Sequence, residues 1–328
     1  MRMGTEMKMW ALVPRGRKVK PDGLTLYPVE RLGNQLFAYA AAFAQARRLS
    51  VPCYVNKAYY DYVHPVRSFH YEYELDIFDN GLISPPENVY HLPVFLGYPA
   101  RSARLWHNHV PSLVPGRGKS IFMEHSFGYD RRLHDVGPGT TLIGYFQSWR
   151  YFDDHGAEIR ARMSRLTKPS DWYREMSEKI EPGTGAIVMH VRRGDYMRPG
   201  TRDFHGLATR AYYERALSYL RQMGFHGPTY VSTDSPDMVS EEFAGMGELL
   251  WIDPPPGTNP FEVVLLLSRA DGLVTANSSF SWWAGYIGER AARTVIAPRP
   301  WFSNREEEMK SRDLVPPHWL TLDRDGYI

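Results

Sequence analysis

Between residues 187 and 298 the chain alternates short apolar runs with amphipathic ones, and that rhythm leaves few folds open to it. Ile187-Val188-Met189-His190-Val191, bounded by Pro182-Gly183 and Gly194, reads as a buried strand. Residues 209–223 follow with Tyr213, Ala216, Leu217 and Leu220 at helical spacing and Gly224 as the stop. Residues 229–233, 249–252, 272–275 and 294–297 read as four more strands. A short helix opened by Ser235-Pro236, one begun by Asn259-Pro260, and one running from about 278 to 290 separate them. Parallel neighbours must be joined by a crossover, usually a helix, so this order predicts an α/β domain built on a parallel sheet over residues 181–328.

Three polar clusters fall at strand ends: His190 to Asp195, Ser232-Thr233-Asp234, and Asn277 to Ser281. Ligands of open α/β sheets bind outside the carboxyl ends of the strands. Two adjacent arginines, Arg192 and Arg193, need an anionic partner, and the guanidinium fork matches a phosphate. The Ser/Asn cluster precedes a helix, whose free amides and positive dipole end also favour phosphate. Arginine and helix terminus on one sheet edge predict a diphosphate site. The bland alternative is buried ion pairs and simple serine caps.

Composition narrows the class. A net charge of +2 over 328 residues makes no case for nucleic acid. Cys53 is the single cysteine, which excludes an intrachain disulfide, and its setting before Tyr54-Val55 predicts a core position. No run reaches the ~18–20 apolar residues of a membrane span, and no signal-peptide pattern opens the chain. The expectation is a cytoplasmic enzyme, with a peripheral membrane contact through basic patches left open. Residues 1–20 are expected to be frayed, and Leu12-Val13-Pro14-Arg15-Gly16 resembles a thrombin-type cleavage sequence. Gly116-Arg117-Gly118-Lys119-Ser120 is not a phosphate loop, because the pattern needs glycine where Leu113 stands. Asp323-Arg324-Asp325, beside Gly326, reads as a turn. The histidines show no zinc-ligand spacing, so no metal is expected.

The first half, residues 1–180, is less regular. Strands are expected at 24–27, 51–55, 122–125 and 142–146, and a helix starting near Asn34, which would cap it, because Leu36, Tyr39, Ala40 and Phe43 lie on one face. Residues 56–120 read as loops, and 150–180 as helices interrupted at Pro169 that bridge two domains.

The motifs now on the page resemble those of the α-1,2-fucosyltransferases, glycosyltransferase family 11. They are His190-Val191-Arg192-Arg193-Gly194-Asp195-Tyr196, Ser232-Thr233-Asp234 and Ala276-Asn277-Ser278-Ser279-Phe280-Ser281-Trp282-Trp283, with Leu32-Gly33-Asn34-Gln35-Leu36-Phe37 near the start. The resemblance implies a GT-B fold of two facing Rossmann-like domains with parallel sheets. It implies GDP-β-L-fucose as donor, a glycan acceptor, and inverting, metal-independent transfer to the 2-hydroxyl of a galactoside, with no cofactor. Carried over by position, Arg192 holds the diphosphate and Arg193 supports the loop or assists. Asn34, with its neighbour Gln35, approaches the donor from the other domain. Ser278, Ser279 and Phe280, within the Asn277–Ser281 cluster, offer hydroxyls and amides to phosphate. His190 and Asp234, beside Thr233, read or position the guanosine.

Where such enzymes usually carry glycines before Leu-Gly-Asn-Gln, this chain has Glu30-Arg31. These residues either narrow the site, change the acceptor or supply chemistry, or else point outward. Asp195, Glu30 and Glu124 are the candidate bases. Asp195, beside two arginines, is expected to be a poor one. Two other readings stay open: a GDP-fucose-dependent transferase with another acceptor or linkage, and a non-catalytic nucleotide or sugar binder.

Overall fold

The computed structural model describes residues 22–57, 59–60, 71–84 and 120–326. The start expected to be frayed, the cleavage-like sequence, the rejected phosphate loop up to Lys119 and most of the region 56–120 expected as loops lie outside the described residues.

Two all-parallel sheets carry the chain. The first joins β1 (Leu24–Leu26), β2 (Cys53–Val55), β3 (Ser120–Met123) and β4 (Thr140–Ile143) in the order β2-β1-β4-β3. The second joins β5 (Ile187–Val191), β6 (Thr229–Thr233), β7 (Leu250–Trp251), β8 (Gly272–Val274), β9 (Thr294–Arg299) and β10 (Leu320–Asp323) in the order β10-β9-β8-β5-β6-β7. The helices are α1 (Leu32–Leu49), α2 (Gly156–Met163), α3 (Asp171–Lys179), α4 (Pro199–His205), α5 (Arg210–Gln222), α6 (Pro236–Glu242), α7 (Pro260–Arg269), α8 (Ser279–Ile287) and α9 (Arg305–Lys310). This is the expected GT-B arrangement of two parallel α/β sheets.

In each sheet the chain leaves one strand toward one side and later lays a strand on its other side, and that switch positions the site. In the second sheet the chain leaves β5 toward β6 on one side and later returns as β8 on the other. In the first it leaves β1 toward β2, and β4 comes to lie on the opposite side of β1. The connections after β5 and β8, and after β1 and β4, therefore diverge and leave a crevice at the carboxyl ends.

One apolar core runs through both halves. Helix α1 is buried on nearly all sides, and its run of Ala40, Ala41, Ala42 and Ala44 brings neighbouring backbones close. It packs directly on α8. The Phe37 ring lies 4.4 Å from that of Trp282 and 4.9 Å from that of Trp283. Both indoles bury their N–H groups against carbonyls: Trp283 donates to Gly33 (3.1 Å) and Trp282 to Leu314 (2.8 Å). Helix α2 ties the halves together, with Glu158 paired to Arg47 of α1 and Arg160 to Glu289 beyond α8 (2.8 Å). Cys53 is buried in the same core, which pushes its thiol up to about 12.

The structure departs from the sequence reading in several places. Helix α1 starts two residues before Asn34, with Arg31 at the cap position and no side-chain cap. Glu74, remote in sequence, accepts from the Leu32 amide instead (2.9 Å), which frees the Asn34 side chain for other partners. Strand β9 runs on through Pro298 to Arg299, because its pairing with β8 ends at Ile296 and needs no donor on that side, while β10 pairs along its other edge to Arg299. Strand β10 and helices α4 and α9 were not foreseen. They are short and lack a sustained apolar period. Proline at the first turn starts α4, and the Asn304 carboxamide caps α9.

Candidate active site

The carboxyl ends of the two sheets enclose a cleft of about 1580 Å³. Among the sequence-predicted residues, Glu30, Asn34, Arg192, Asp195, Asn277, Ser278, Ser279 and Phe280 line it, as does Glu124.

The turn after β5 presents Arg192. Its guanidinium is held between Asp195 and Asp234 (2.7 Å to Asp234), with the Tyr196 ring 5.5 Å away. Asp234 also accepts from the Arg193 amide (2.9 Å), so one carboxylate sets both backbone and side chain of the turn. Gly194 is needed there, since a methyl would run into the Asp234 carboxylate. Tyr196 donates to the Asn277 carbonyl (3.1 Å), joining the β5 turn to the β8 turn.

The turn after β8 starts helix α8. Ser278 caps it, accepting from the Phe280 amide (3.3 Å), and the Asn277 carboxamide donates to the carbonyls of His205 (2.9 Å) and Trp301 (3.0 Å). Asn277 is buried and acts as a brace. Helices α8 and α1 pack side by side with their first turns in contact, Gly33 against Ser279 and Phe280 and Phe37 against Trp282 and Trp283. A methyl on Gly33 would lie 3.0 Å from the Phe280 nitrogen and nearer still to Ser279. Two positive dipole ends thus converge on the cleft beside Arg192.

From the first half, Glu30 enters with φ +61°, the left-handed region that an L side chain rarely adopts. Glycine would follow that backbone path without strain, and here a glutamate follows it. Its carboxylate points inward and accepts from the Tyr145 hydroxyl (2.8 Å) and the Asn34 amide (3.1 Å). The Asn34 oxygen in turn accepts from Gln147 (2.8 Å) and sits 3.5 Å from the Ser279 hydroxyl. Arg31 reaches across to Asp195 at 3.7 Å and lies over the Tyr71 ring.

The remaining candidates stand behind the surface. Gln35 is buried and clamps the Glu30 loop to residues 72–74, donating to the carbonyls of Glu30 and Glu72 and accepting from the Glu74 amide. Arg193 is buried facing away from the cleft, paired with Glu242 (2.7 Å) and donating to the Arg192 and Ala208 carbonyls. Thr233 accepts from the Ser235 amide, and Ser281 is buried within α8. His190 stacks on Phe280 with ring centres 5.3 Å apart; burial, and then Arg192, push its pKa down to about 4.

Glu124 is buried at the cleft wall, and burial pushes its carboxyl up to about 8. Its oxygens are occupied by the Tyr145 and Phe146 amides (2.8 and 2.7 Å) and the Tyr151 hydroxyl (3.2 Å). Sequence reasoning missed Glu74, His205 and the cleft-facing rings Phe127, Phe204 and Phe302. Among the described residues, no three His, Cys, Asp or Glu side chains gather as a metal site, and no helix is long and apolar enough to cross a membrane.

A family model described as glycosyl transferase family 11 matches residues 141–323, more than half of the chain. An α-1,2-colitosyltransferase of Escherichia coli is 27% identical over 304 residues, covering 89% of this chain and 96% of that protein. The galactoside α-(1,2)-fucosyltransferase 2 of Oryctolagus cuniculus is 23% identical over 273 residues, 80% of this chain and 66% of that one. Among solved structures, the fucosyltransferase NodZ from Bradyrhizobium aligns with 80% of this chain and 92% of its own at 14% identity, with a TM-score of 0.48.

Proposed function

The chain belongs to glycosyl transferase family 11, and from that premise we propose that it moves L-fucose from GDP-β-L-fucose to the 2-hydroxyl of a galactoside on a glycan, with inversion and without a metal ion. The observation that carries this reading is the convergence of Arg192 and the N-terminus of α8, both at the switch point of the second sheet, on a cleft whose far wall supplies Glu30 and Asn34.

In this reading the diphosphate lies against Arg192 and the Ser278–Phe280 turn. The acceptor oxygen bonds to the anomeric carbon as the bond from that carbon to the β-phosphate oxygen breaks. The electron pair leaves with GDP, and the acceptor proton passes to Glu30. Charge growing on the leaving oxygen meets a guanidinium and helix amides already in place, where one such contact contributes about 2.7–4 kcal/mol to lowering the barrier. Of the three candidate bases, Glu124 is engaged by two amides and Asp195 by Arg192, whereas Glu30 stands on the wall across the cleft from Arg192, bonded to the Tyr145 hydroxyl and the Asn34 carboxamide. That position favours Glu30 as the base. His190, neutral at ordinary pH, and Asp234 orient the β5 turn and the guanosine end.

The name of the E. coli relative favours a second reading, in which colitose replaces fucose in the same cleft. The deciding assay offers GDP-fucose, GDP-colitose, GDP-mannose and UDP-galactose with lactose, in EDTA. GDP release from GDP-fucose with a 2-fucosylated product supports the first reading, and preference for GDP-colitose supports the second. Release from neither, or activity only with added metal, would overturn the corresponding part. Arg192→Ala should lower turnover roughly 10²–10³-fold or more; a variant as active as the parent would remove Arg192 from the reaction.

A further inference from the structure

One part of the cleft wall takes no part in the reading above. Phe127, from the turn after β3, and Tyr145, from the turn after β4, stack in parallel (5.7 Å, 8°). Phe127 also meets two rings of the second half: Phe302 after β9 at 5.1 Å and Phe204 of α4 at 6.4 Å. Phe204 and Phe302 pack edge to face at 5.4 Å. Phe302 is buried beneath the others, whereas Phe127, Tyr145 and Phe204 keep part of their surface toward the cleft. His125, Ser126 and Lys310 line the same stretch.

Resting on the glycosyltransferase reading of the cleft, we infer that this four-ring wall is the platform on which the acceptor sugar lies, a β-galactoside with its apolar C–H face on Phe127. Sugar sites pair an apolar surface with a few polar groups that fix orientation, and the wall with its polar neighbours has that make-up. Its position selects the acceptor over the nucleotide. Tyr145 belongs to the wall by its ring and donates to Glu30 by its hydroxyl, so a sugar resting there is one side chain away from the proposed base. Arg192 and the α8 terminus, which take the diphosphate, contribute no ring to it. The wall also needs both halves of the chain, so the acceptor binds against the second half as well as the first.

Phe127→Leu keeps the apolar volume and removes the ring face. It should raise the KM for lactose roughly three- to tenfold, the worth of an aromatic contact, while GDP-fucose hydrolysis without acceptor keeps its KM and rate. Phe204→Leu should act in the same direction, and Phe127→Trp should restore the parent value. A rise in donor KM instead would assign the wall to the nucleotide, and an unchanged lactose KM would leave it as packing; either overturns the inference. A parent chain that releases no GDP refutes the functional reading separately. Saturation-transfer NMR of methyl β-galactoside then reads the wall directly. Transfer to the sugar ring protons that disappears in Phe127→Leu sustains it, and no transfer to the parent protein overturns it.

Discussion

At the scale of single residues, two carboxylates a few ångströms from one another's partners do different work. Glu30 is expected to take the acceptor proton, so Glu30→Gln should lower kcat about 10²–10⁴-fold with the donor KM unchanged, and flatten the acidic limb of the pH–rate profile. A variant that keeps that limb would assign the proton elsewhere. Glu124, its oxygens engaged by two amides and the Tyr151 hydroxyl, is expected to act on stability. Burial raises its folded pKa to about 8, from an ordinary 4.5, so the folded chain holds a proton that the unfolded chain has lost. Between those values stability falls as pH rises, by at most about 1.4 kcal/mol per pH unit. Glu124→Gln should therefore gain on the parent between pH 5 and pH 9 in urea midpoint; a constant difference would refute the assignment. His190 and His205 act oppositely. Burial lowers both to about 4, so their contribution is present above pH 6.5 and is lost as pH falls toward 4. The cleft positions of Arg192 and the Ser278–Phe280 turn were legible in the sequence because each lies in a short motif at a strand end, and that of Asn34 because its motif opens a helix. Glu74, which accepts from the Leu32 amide, was not, since that hydrogen bond spans 42 positions and only the folded chain brings its partners together.

At the scale of elements, the meeting of α1 and α8 decides whether the site exists. Gly33 is the contact point, and no side chain fits there. Gly33→Ala should force the two helix starts apart, costing about 1–3 kcal/mol by overpacking, and activity should fall further than that loss of stability explains. Full activity in Gly33→Ala would mean that the helix ends need not touch. The second sheet was readable almost strand by strand, because buried parallel strands are unbroken apolar runs set off by glycine and proline. The first sheet was readable in its strands but not in its starting turn. Glu30 takes a left-handed conformation that its side chain does not announce, so α1 begins earlier than Asn34 suggested. Helices α4 and α9 escaped because their sequences are polar and one or two turns long, below the length at which periodicity shows.

At the scale of the molecule, the sequence reading places a boundary after residue 180, whereas one large apolar cluster crosses it. Phe37, Phe152, Trp282, Trp283 and Tyr286 form a continuous aromatic seam between the sheets. Heat or urea should accordingly unfold the chain in one transition seen alike by tryptophan fluorescence and far-ultraviolet circular dichroism. Two separated transitions would show that the halves melt independently.

The same seam bears on how relatives can be recombined. Joining the first half of one to the second half of another would place a foreign Phe37 against Trp282 and Trp283, and a foreign Gly33 against Phe280. Specificity in this scaffold is not a detachable cassette. A chimera that inherits new acceptor loops must keep helix α1 from the parent that supplies α8, so the crossover points belong on either side of that helix, not between the sheets.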